Sequence, residues 1–291
     1  MSNIRVIDVR AVPGDAAFLI DDGTTAVLYD TGFAFTGYRV AENIKTALAD
    51  RPLAAILLTH SHYDHALGTP YILKHYPTAK VVAGEYAVGI FQKPSAKRLM
   101  RELDRKFADK CGVGEYDDLV DDLKVDIAVC DGDTVRFGDM EFTVIDLPGH
   151  TRCSVGYYLE AEKMLLNSET LGVFGGEGIV VPSYLIGYQT ALDSIKKAQQ
   201  LEVVQMAVPH YGLLEPQYTK DFLKISYNTS VEVAEKICGI LKSGGNENDA
   251  LEYFRQKFYH GFVVDVYPRD AMELNTSIMI KLIQKELCKN N

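Results

Sequence analysis

The chain has 291 residues, 47% of them apolar and 24% charged, with a formal net charge of −10 at pH 7. This composition describes a globular protein long enough to bury a substantial core, and the acidic balance argues against nucleic acid as substrate, because neutralising phosphates takes clustered Lys and Arg. The N-terminal "MSNIRVIDVR" lacks a signal-like apolar segment, no run of 18 apolar residues occurs, and five scattered cysteines without a CxxC pair read as free thiols, so a cytoplasmic protein with no membrane partner is expected.

Along the first thirty residues, "IRVIDVRAV", "AAFLID" and "TAVLYD" alternate apolar and polar positions between turn signals and predict the strands of a meander. Val40, Ile44 and Leu48 then fall on one face of a helix over residues 40–48. "LAAILLT" is a continuous apolar run, as expected of a strand buried on both faces, and "ALGTPYILKHY" and "KVVAGE" follow as helix and strand. From about residue 92 to 124 the character changes. "SAKRLMRELDRKFADKCGV" carries Leu99, Met100, Leu103 and Phe107 at helical spacing, a charged amphipathic insertion expected to flank any site and shape its pocket, its apolar residues reading first as packing or dimer contacts. Strands resume in "KVDIAVCDGDTVRFGDMEFTVIDLPGHT", where "DGDTVRFGD" has hairpin chemistry, and "SVGYYLE" with "KMLLNSE" predicts a second hairpin. A helix over 190–201 and a buried strand in "EVVQMAVPHYG" complete a β-rich core of residues 1–214. Residues 215–291 predict a helical region, with helices over 218–241, 247–258 and 269–287 and one strand candidate, "GFVVDVY". Strands alternating with helices favour a layered α/β architecture.

Polar residues recur where strands end: His60, His62, Asp64 and His65 after "AILLT", His150 after "TVIDLPG", Ser168 and Glu169 after "MLLN", and His210 after "MAVP". Strand ends are where a rigid sheet presents residues from distant segments together. A single loop histidine such as His150 reads more readily as a hydrogen-bonded side chain than as a ligand, and His75 and His260 stand in helix-like or surface-like contexts. The cluster differs, because three of the chain's seven histidines and an aspartate occupy six positions. Groups of this kind cost several kcal/mol each when buried without partners, whereas imidazole and carboxylate suit zinc and other first-row metals. In extended backbone alternate side chains share a face, so His60 and His62 can grip one ion while Asp64 and His65 turn toward a second. Two ions about 3.5–4 Å apart would generate a hydroxide nucleophile at neutral pH and clamp substrate oxygens.

"THSHYDH" resembles the HxHxDH signature of the metallo-β-lactamase-fold hydrolases, and the resemblance extends over about 200 residues in the general layout of the glyoxalase II branch. "LYDTG" looks like the early Asp turn beneath the site, "LPGHT" like the second metal-binding segment, "LLNSETL" like the bridging-carboxylate segment and "VPHYG" like the last histidine segment. The resemblance implies a four-layer αββα sandwich with the site at one edge. It implies His60, His62 and His150 as ligands of one ion and Asp64, His65 and His210 as ligands of the other. Zinc is the expected metal, with manganese or iron as alternatives. Glu169 stands where the family usually carries a bridging aspartate; one methylene longer, it could bridge, bind a single ion or leave the shell. Asp64 is the candidate general base if one position is partly filled, and chiefly a ligand if both are. Asp30 is expected to orient the ligand loop by hydrogen bonds or to be a plain turn residue, Cys153 to be a small buried residue, and Tyr211 to have no catalytic part. Gly172 occupies the place of the tyrosine found in quorum-sensing lactonases, which disfavours that activity. The expected reaction is hydrolysis of an ester, thioester, lactone or phosphoester of a small metabolite. The alternatives are a metal-containing binding or regulatory protein with weak turnover and an iron-dependent redox protein; a homodimer is possible in any of these.

Overall fold

Alternation within the strands decides the architecture. The computed structural model describes residues 4–288. Its first half lays down β1 (Arg5–Asp8), β2 (Phe18–Asp21), β3 (Ala26–Tyr29), α1 (Gly37–Leu48), β4 (Leu53–Leu58), α2 (Tyr63–Ala66), α3 (Thr69–His75), β5 (Lys80–Gly84), α4 (Glu85–Phe91), α5 (Pro94–Lys110) and β6 (Ile127–Val129). The six strands form one sheet in chain order, with β1, β2 and β3 an antiparallel meander and β3 to β6 parallel. The second half lays down β7 (Thr134–Phe137), β8 (Met140–Asp146), β9 (Val155–Leu159), β10 (Met164–Leu166), the short hairpin β11 (Val173–Phe174) and β12 (Val180–Val181), α6 (Tyr188–Ala198), β13 (Gln205–Val208) and β14 (Gly212–Leu213). There the sheet order is β14-β13-β10-β9-β8-β7. The chain ends in α7 (Pro216–Thr219), α8 (Phe222–Lys242), α9 (Glu247–Phe258), α10 (Phe262–Val266), α11 (Arg269–Ile283) and a π turn, Gln284–Cys288.

Because side chains alternate along a strand, each sheet buries two faces. Phe18, Ile20, Val27, Tyr29, Leu57 and Val82 of the first sheet meet Phe142, Val144, Tyr157, Leu159, Met164 and Leu166 of the second in one inner layer. Leu19, Leu28, Ile56 and Leu58 point the other way, under Val40, Ile44 and Leu48 of α1, Ile72 of α3 and Phe91 of α4. The opposite outer face is covered by α6, α8, α9 and α11 through Ile195, Ile237, Phe254 and Ile280. Each fully buried Leu, Ile or Phe contributes about 1.5–3 kcal/mol relative to exposure. The result is the αββα sandwich. Two tyrosines bond reciprocally across the inner layer: Tyr29 Oη donates to the Asn167 carbonyl at 2.6 Å, and Tyr157 Oη donates to the Leu58 carbonyl at 2.8 Å. Leu58 and Asn167 stand at the ends of β4 and β10, so the same bonds lock the edge from which the histidine loops leave.

Three expectations need adjusting. "GFVVDVY" is the short helix α10 rather than a strand. Val263 and Val266, three apart, are buried while Val264 is 48% exposed, a helical period that wins over β-branched composition between Gly261 and Pro268. "ALGTPYILKHY" divides at Leu67 and Gly68 between α2 and α3. The stretch 92–124 holds one long helix, α5, and a single 3₁₀ turn, Val120–Asp122, and it does not stand apart: Met100, Val120 and Leu123 pack into the outer layer with α1 and α3. Among the described residues no helix is long and apolar enough to cross a membrane.

Two consequences can be measured. Gly68 donates its N–H to the Gly32 carbonyl at 3.0 Å, and a Cβ there would lie 2.0 Å from the Thr31 carbonyl oxygen, which is backbone and cannot swing aside. Gly68→Ala is therefore expected to cost about 3 kcal/mol or more in urea unfolding, and an unchanged midpoint would contradict this packing. The second concerns Asp104, a buried carboxyl on α5 that accepts from the Ala34 N–H at 2.8 Å and from Tyr116 Oη at 2.5 Å. Burial pushes its pKa up to about 6, against the pull of those hydrogen bonds. The unfolded chain, with the ordinary carboxyl pKa of 3.8, then ionises before the folded one, so this group removes stability as pH rises from 3.8 to about 6. Asp104→Asn abolishes that slope: the stability of wild type relative to the variant should fall by roughly 2–3 kcal/mol across this window. A difference independent of pH would show that Asp104 ionises normally.

Candidate metal centre

The parallel pairing of β3 with β4 sets the floor of the site. Tyr29 lies opposite Leu57, so Asp30 and Thr59 leave the sheet side by side. Asp30 takes a left-handed backbone with φ 56°, donates its N–H to the Leu57 carbonyl at 3.0 Å and turns its carboxylate inward. That carboxylate, fully buried, accepts from Thr59 N at 2.8 Å, from Thr59 Oγ1 at 2.9 Å and from His65 Nδ1 at 2.8 Å. Asp30 thus makes the hydrogen bonds expected of an orienting residue, where the sequence had left a plain turn aspartate equally open. His60 follows at once, its Nδ1 3.0 Å from Thr59 Oγ1, and His62 is the residue from which the one-turn helix α2 begins. Within α2, Asp64 and His65 come round to the same cavity.

The other donors arrive from the second sheet. His150 follows β8; its Nδ1 lies 3.0 Å from the Ser183 carbonyl and 2.9 Å from Ser183 Oγ, and its N–H donates to Thr170 Oγ1 at 2.9 Å. Glu169 opens a 3₁₀ turn just after β10, and His210 follows β13 with φ 63°. The Arg10 guanidinium donates to the His210 carbonyl, and His210 Nδ1 stands 3.3 Å from the Asp15 carbonyl. All seven predicted residues meet. His60, His62, His150 and Glu169 form one group and Asp64, His65 and His210 another, each able to hold an ion with donor atoms within 4.8 Å of one another.

Glu169 lies between the groups. Its Oε2 is 2.7 Å from His150 Nε2 and its Oε1 is 3.1 Å from His210 Nε2 and 3.9 Å from His65 Nε2. His150 Nε2 is also 2.9 Å from His62 Nδ1, and Asp64 Oδ2 is 3.8 Å from both His65 Nε2 and His210 Nε2. Two atoms stand out. His60 Nε2 and His65 Nε2 are buried and have no hydrogen-bond partner. An orphaned buried polar atom costs about 1–3 kcal/mol, and two such nitrogens inside one ring of imidazoles and carboxylates fit a bound cation.

The electrostatics agree. Burial, reinforced by the neighbouring imidazoles, holds His60 and His62 well below the usual histidine range, so both are neutral with lone pairs available at pH 7. Burial acts the same way on His65, but Asp64, Asp30 and Glu169 outweigh it and push His65 up to about 9. Burial raises Asp64 against the pull of His65 and His210, while His150, His210 and His65 overcome burial and hold Glu169 well below the carboxylate range. His75 lies on α3 and His260 is exposed, both outside the ring. Cys153 is buried beside Ser61 and Thr151, and Tyr211 donates to Glu215; neither belongs to the donor ring.

A cleft of about 230 Å³ opens on this centre between α5 and α11, with His62, Tyr63, Asp64 and Glu169 at its floor. Leu103 and Phe107 line it rather than serving only as packing, while Met100 is a core residue and Leu99 points to solvent. Several contributors carried no sequence signal. Asp15 is a buried carboxyl accepting from Ala11 N, Val12 N, Phe33 N and Thr36 Oγ1, and burial raises its pKa. Ser183 holds His150, and Tyr267, whose oxygen accepts from Asn275, lines the cleft. Each is reached from a distant segment, so neither spacing nor composition could have singled it out.

Known proteins resemble this chain in sequence and in shape. It is 28% identical over 169 residues to an uncharacterized protein of Aquifex aeolicus, covering 58% of this chain and 70% of that one. It is 25% identical over 172 residues to the metallo-beta-lactamase fold-containing protein ST1585 of Sulfurisphaera tokodaii, covering 58% and 64%. It is 26% identical over 203 residues to a hydroxyacylglutathione hydrolase of Synechococcus sp., covering 68% and 66%. The matched stretches thus span about two-thirds of these relatives' lengths. Among solved structures, the metallo-beta-lactamase family protein TTHA1429 of Thermus thermophilus superposes with a TM-score of 0.62 at 17% identity, over 98% of this chain and 94% of that one. ST1585 superposes with a TM-score of 0.57 at 23% identity, over 76% and 84%. The model of the metallo-beta-lactamase superfamily matches residues 14–214, the stretch that carries every one of the seven converging side chains, and the chain belongs to that superfamily.

Proposed function

We propose that the chain is a metal-dependent hydrolase with a dinuclear centre, zinc being the expected metal, that cleaves an ester, thioester, lactone or phosphoester of a small metabolite. The observation that carries this reading is the pair of buried nitrogens without a hydrogen bond, His60 Nε2 and His65 Nε2, inside a ring of three more histidines and two carboxylates. In it, His60, His62 and His150 would hold one ion and Asp64, His65 and His210 the other. Glu169 has one carboxylate oxygen near each group, which supports a bridging role despite its extra methylene. Bound divalent ions supply Lewis acidity and lower the pKa of a coordinated water to about 7, giving a nucleophile at neutral pH.

The chain's own residues set the conditions for that chemistry. Asp30 accepts from His65 Nδ1 and the Ser183 carbonyl accepts from His150 Nδ1, so Nε2 is the atom each ring turns to the cavity, and His65 would give up its Nε2 proton to an ion. Burial keeps His60 and His62 unprotonated. Asp64 borders both the donor ring and the cleft, so it orients the attacking water as general base wherever its ion position is unfilled, and acts as a ligand where it is filled. Residues 1–214 carry the centre, and the helical region 215–291 supplies one wall of the cleft. A cleft of about 230 Å³ supports a small metabolite as the substrate. The similarity to proteins named hydroxyacylglutathione hydrolase supports hydrolysis and makes a thioester a first substrate to try.

Elemental analysis by ICP-MS of untagged protein, purified without added metal, is expected to return close to two ions per chain. One ion or none after incubation with metals would favour the binding-protein reading, and two irons the redox one. Asp30→Asn removes the acceptor shared by Thr59 and His65. It should weaken metal affinity about 10–100-fold in competition with a chromogenic chelator, whereas unchanged affinity would mean that Asp30 serves only the turn.

A further inference from the structure

The walls of the cleft carry chemistry that hydrolysis itself does not need. On α5, Leu103, Lys106, Phe107 and Lys110 are spaced i, i+3, i+4 and i+7, so they share one face, and all four line the cleft. Facing them, Ala271, Leu274, Asn275 and Ile278 of α11 repeat the same spacing and line the opposite wall, three of the four apolar. Leu274 is 55% exposed, an uncovered apolar side chain beside a cavity. Both lysines converge on one carboxylate: Lys106 Nζ lies 2.6 Å from Asp270 Oδ2, and Lys110 Nζ meets Asp270 Oδ1. Those two contacts hold Asp270 ionised, well below the carboxylate range.

Two ammonium groups against one carboxylate leave a surplus positive charge, although the chain as a whole carries −10. An ammonium has three N–H donors, and each lysine directs one at Asp270, so donors remain. The lysine side chains are 61% and 43% exposed, within reach of an incoming group. Apolar walls with surplus cationic donors suit a ligand that is apolar along its body and anionic at one end. We propose that the substrate is an acyl ester or thioester of this kind, its anionic end received by Lys106 and Lys110 and its apolar body packed between Leu103, Phe107, Leu274 and Ile278. Asp270 ties the two lysines of α5 to α11 and offsets one of their two charges, and the anionic end is received by the lysines alone. The assignment of the reacting end rests on the hydrolase reading; the recognition of the anionic end does not.

The test compares two esters of equal chain length on the metal-loaded full chain, 4-nitrophenyl hydrogen suberate with a free carboxylate end and 4-nitrophenyl octanoate with a neutral one. Wild type is expected to prefer the carboxylate-ended ester by about tenfold in kcat/KM, the scale of one charge-assisted hydrogen bond. The double variant Lys106→Gln, Lys110→Gln should lose most of that preference, chiefly through KM. Asp270→Asn should keep it, which separates anion recognition from a purely structural tie between α5 and α11. Calorimetric titration with octane-1-sulfonate, a weak metal ligand, reads the same site without turnover, and binding should weaken by a similar factor in the double variant. If no ester is cleaved but the sulfonate binds in a lysine-dependent way, the hydrolase reading fails and this inference survives. Equal rates for the two esters together with sulfonate binding unchanged in the double variant would overturn it.

Discussion

A single carboxylate holds the centre together. Asp30 is fully buried, and a carboxyl in that position is tolerable only when its oxygens are matched by donors. Thr59 N, Thr59 Oγ1 and His65 Nδ1 provide them at 2.8–2.9 Å. Through these bonds the end of β3 fixes the end of β4, the ring of His65 and the start of α2. These bonds tie down the loop that carries His60, His62 and His65, and His60 Nε2 and His65 Nε2 are buried in the cavity without a hydrogen bond.

The two sheets reach the centre from opposite sides, and their relative position has to be exact to within a fraction of an ångström for seven side chains to meet. Tyr29 and Tyr157 meet that demand by bonding across the inner layer to Asn167 and Leu58, which flank the donor loops. The rigidity of the sandwich and the geometry of the centre therefore have a common origin. Packing of the inner layer brings the sheet edges together, and the tyrosine hydroxyls set the register between them.

Around this rigid floor the helices do a different task. α5 belongs to the first outer layer through Met100 and Asp104, while its opposite face lines the cleft. α11 likewise packs Met279, Ile280 and Ile283 inward and turns Leu274 and Ile278 toward α5. One face of each helix packs into the core and the other lines the cleft. This division lets the cleft vary in size and charge without disturbing Asp30 or the imidazoles it orients.

Much of the centre was legible in the sequence because its information is local. Three histidines and an aspartate in six positions after one strand announce themselves by spacing, and the buried strands by continuous apolar runs. What spacing cannot express is which distant group completes a bond. Asp15 beneath His210, Ser183 behind His150 and Tyr267 over the cleft became visible only when the chain folded. The same limit explains "GFVVDVY", whose β-branched residues suggested a strand although it folds as a helix packed beside the cleft. It also explains Leu103 and Phe107, whose helical spacing revealed an apolar face but not what that face meets. The sequence by itself determined the layered order of strands and helices and the cluster of His60, His62, Asp64 and His65, since these follow from periodicity and spacing, while His150, Glu169 and His210 joined them only through the family resemblance. The tertiary structure alone decided how the donors pair, where Glu169 lies between them and which helical faces enclose the cleft, because those depend on contacts between segments up to 200 residues apart.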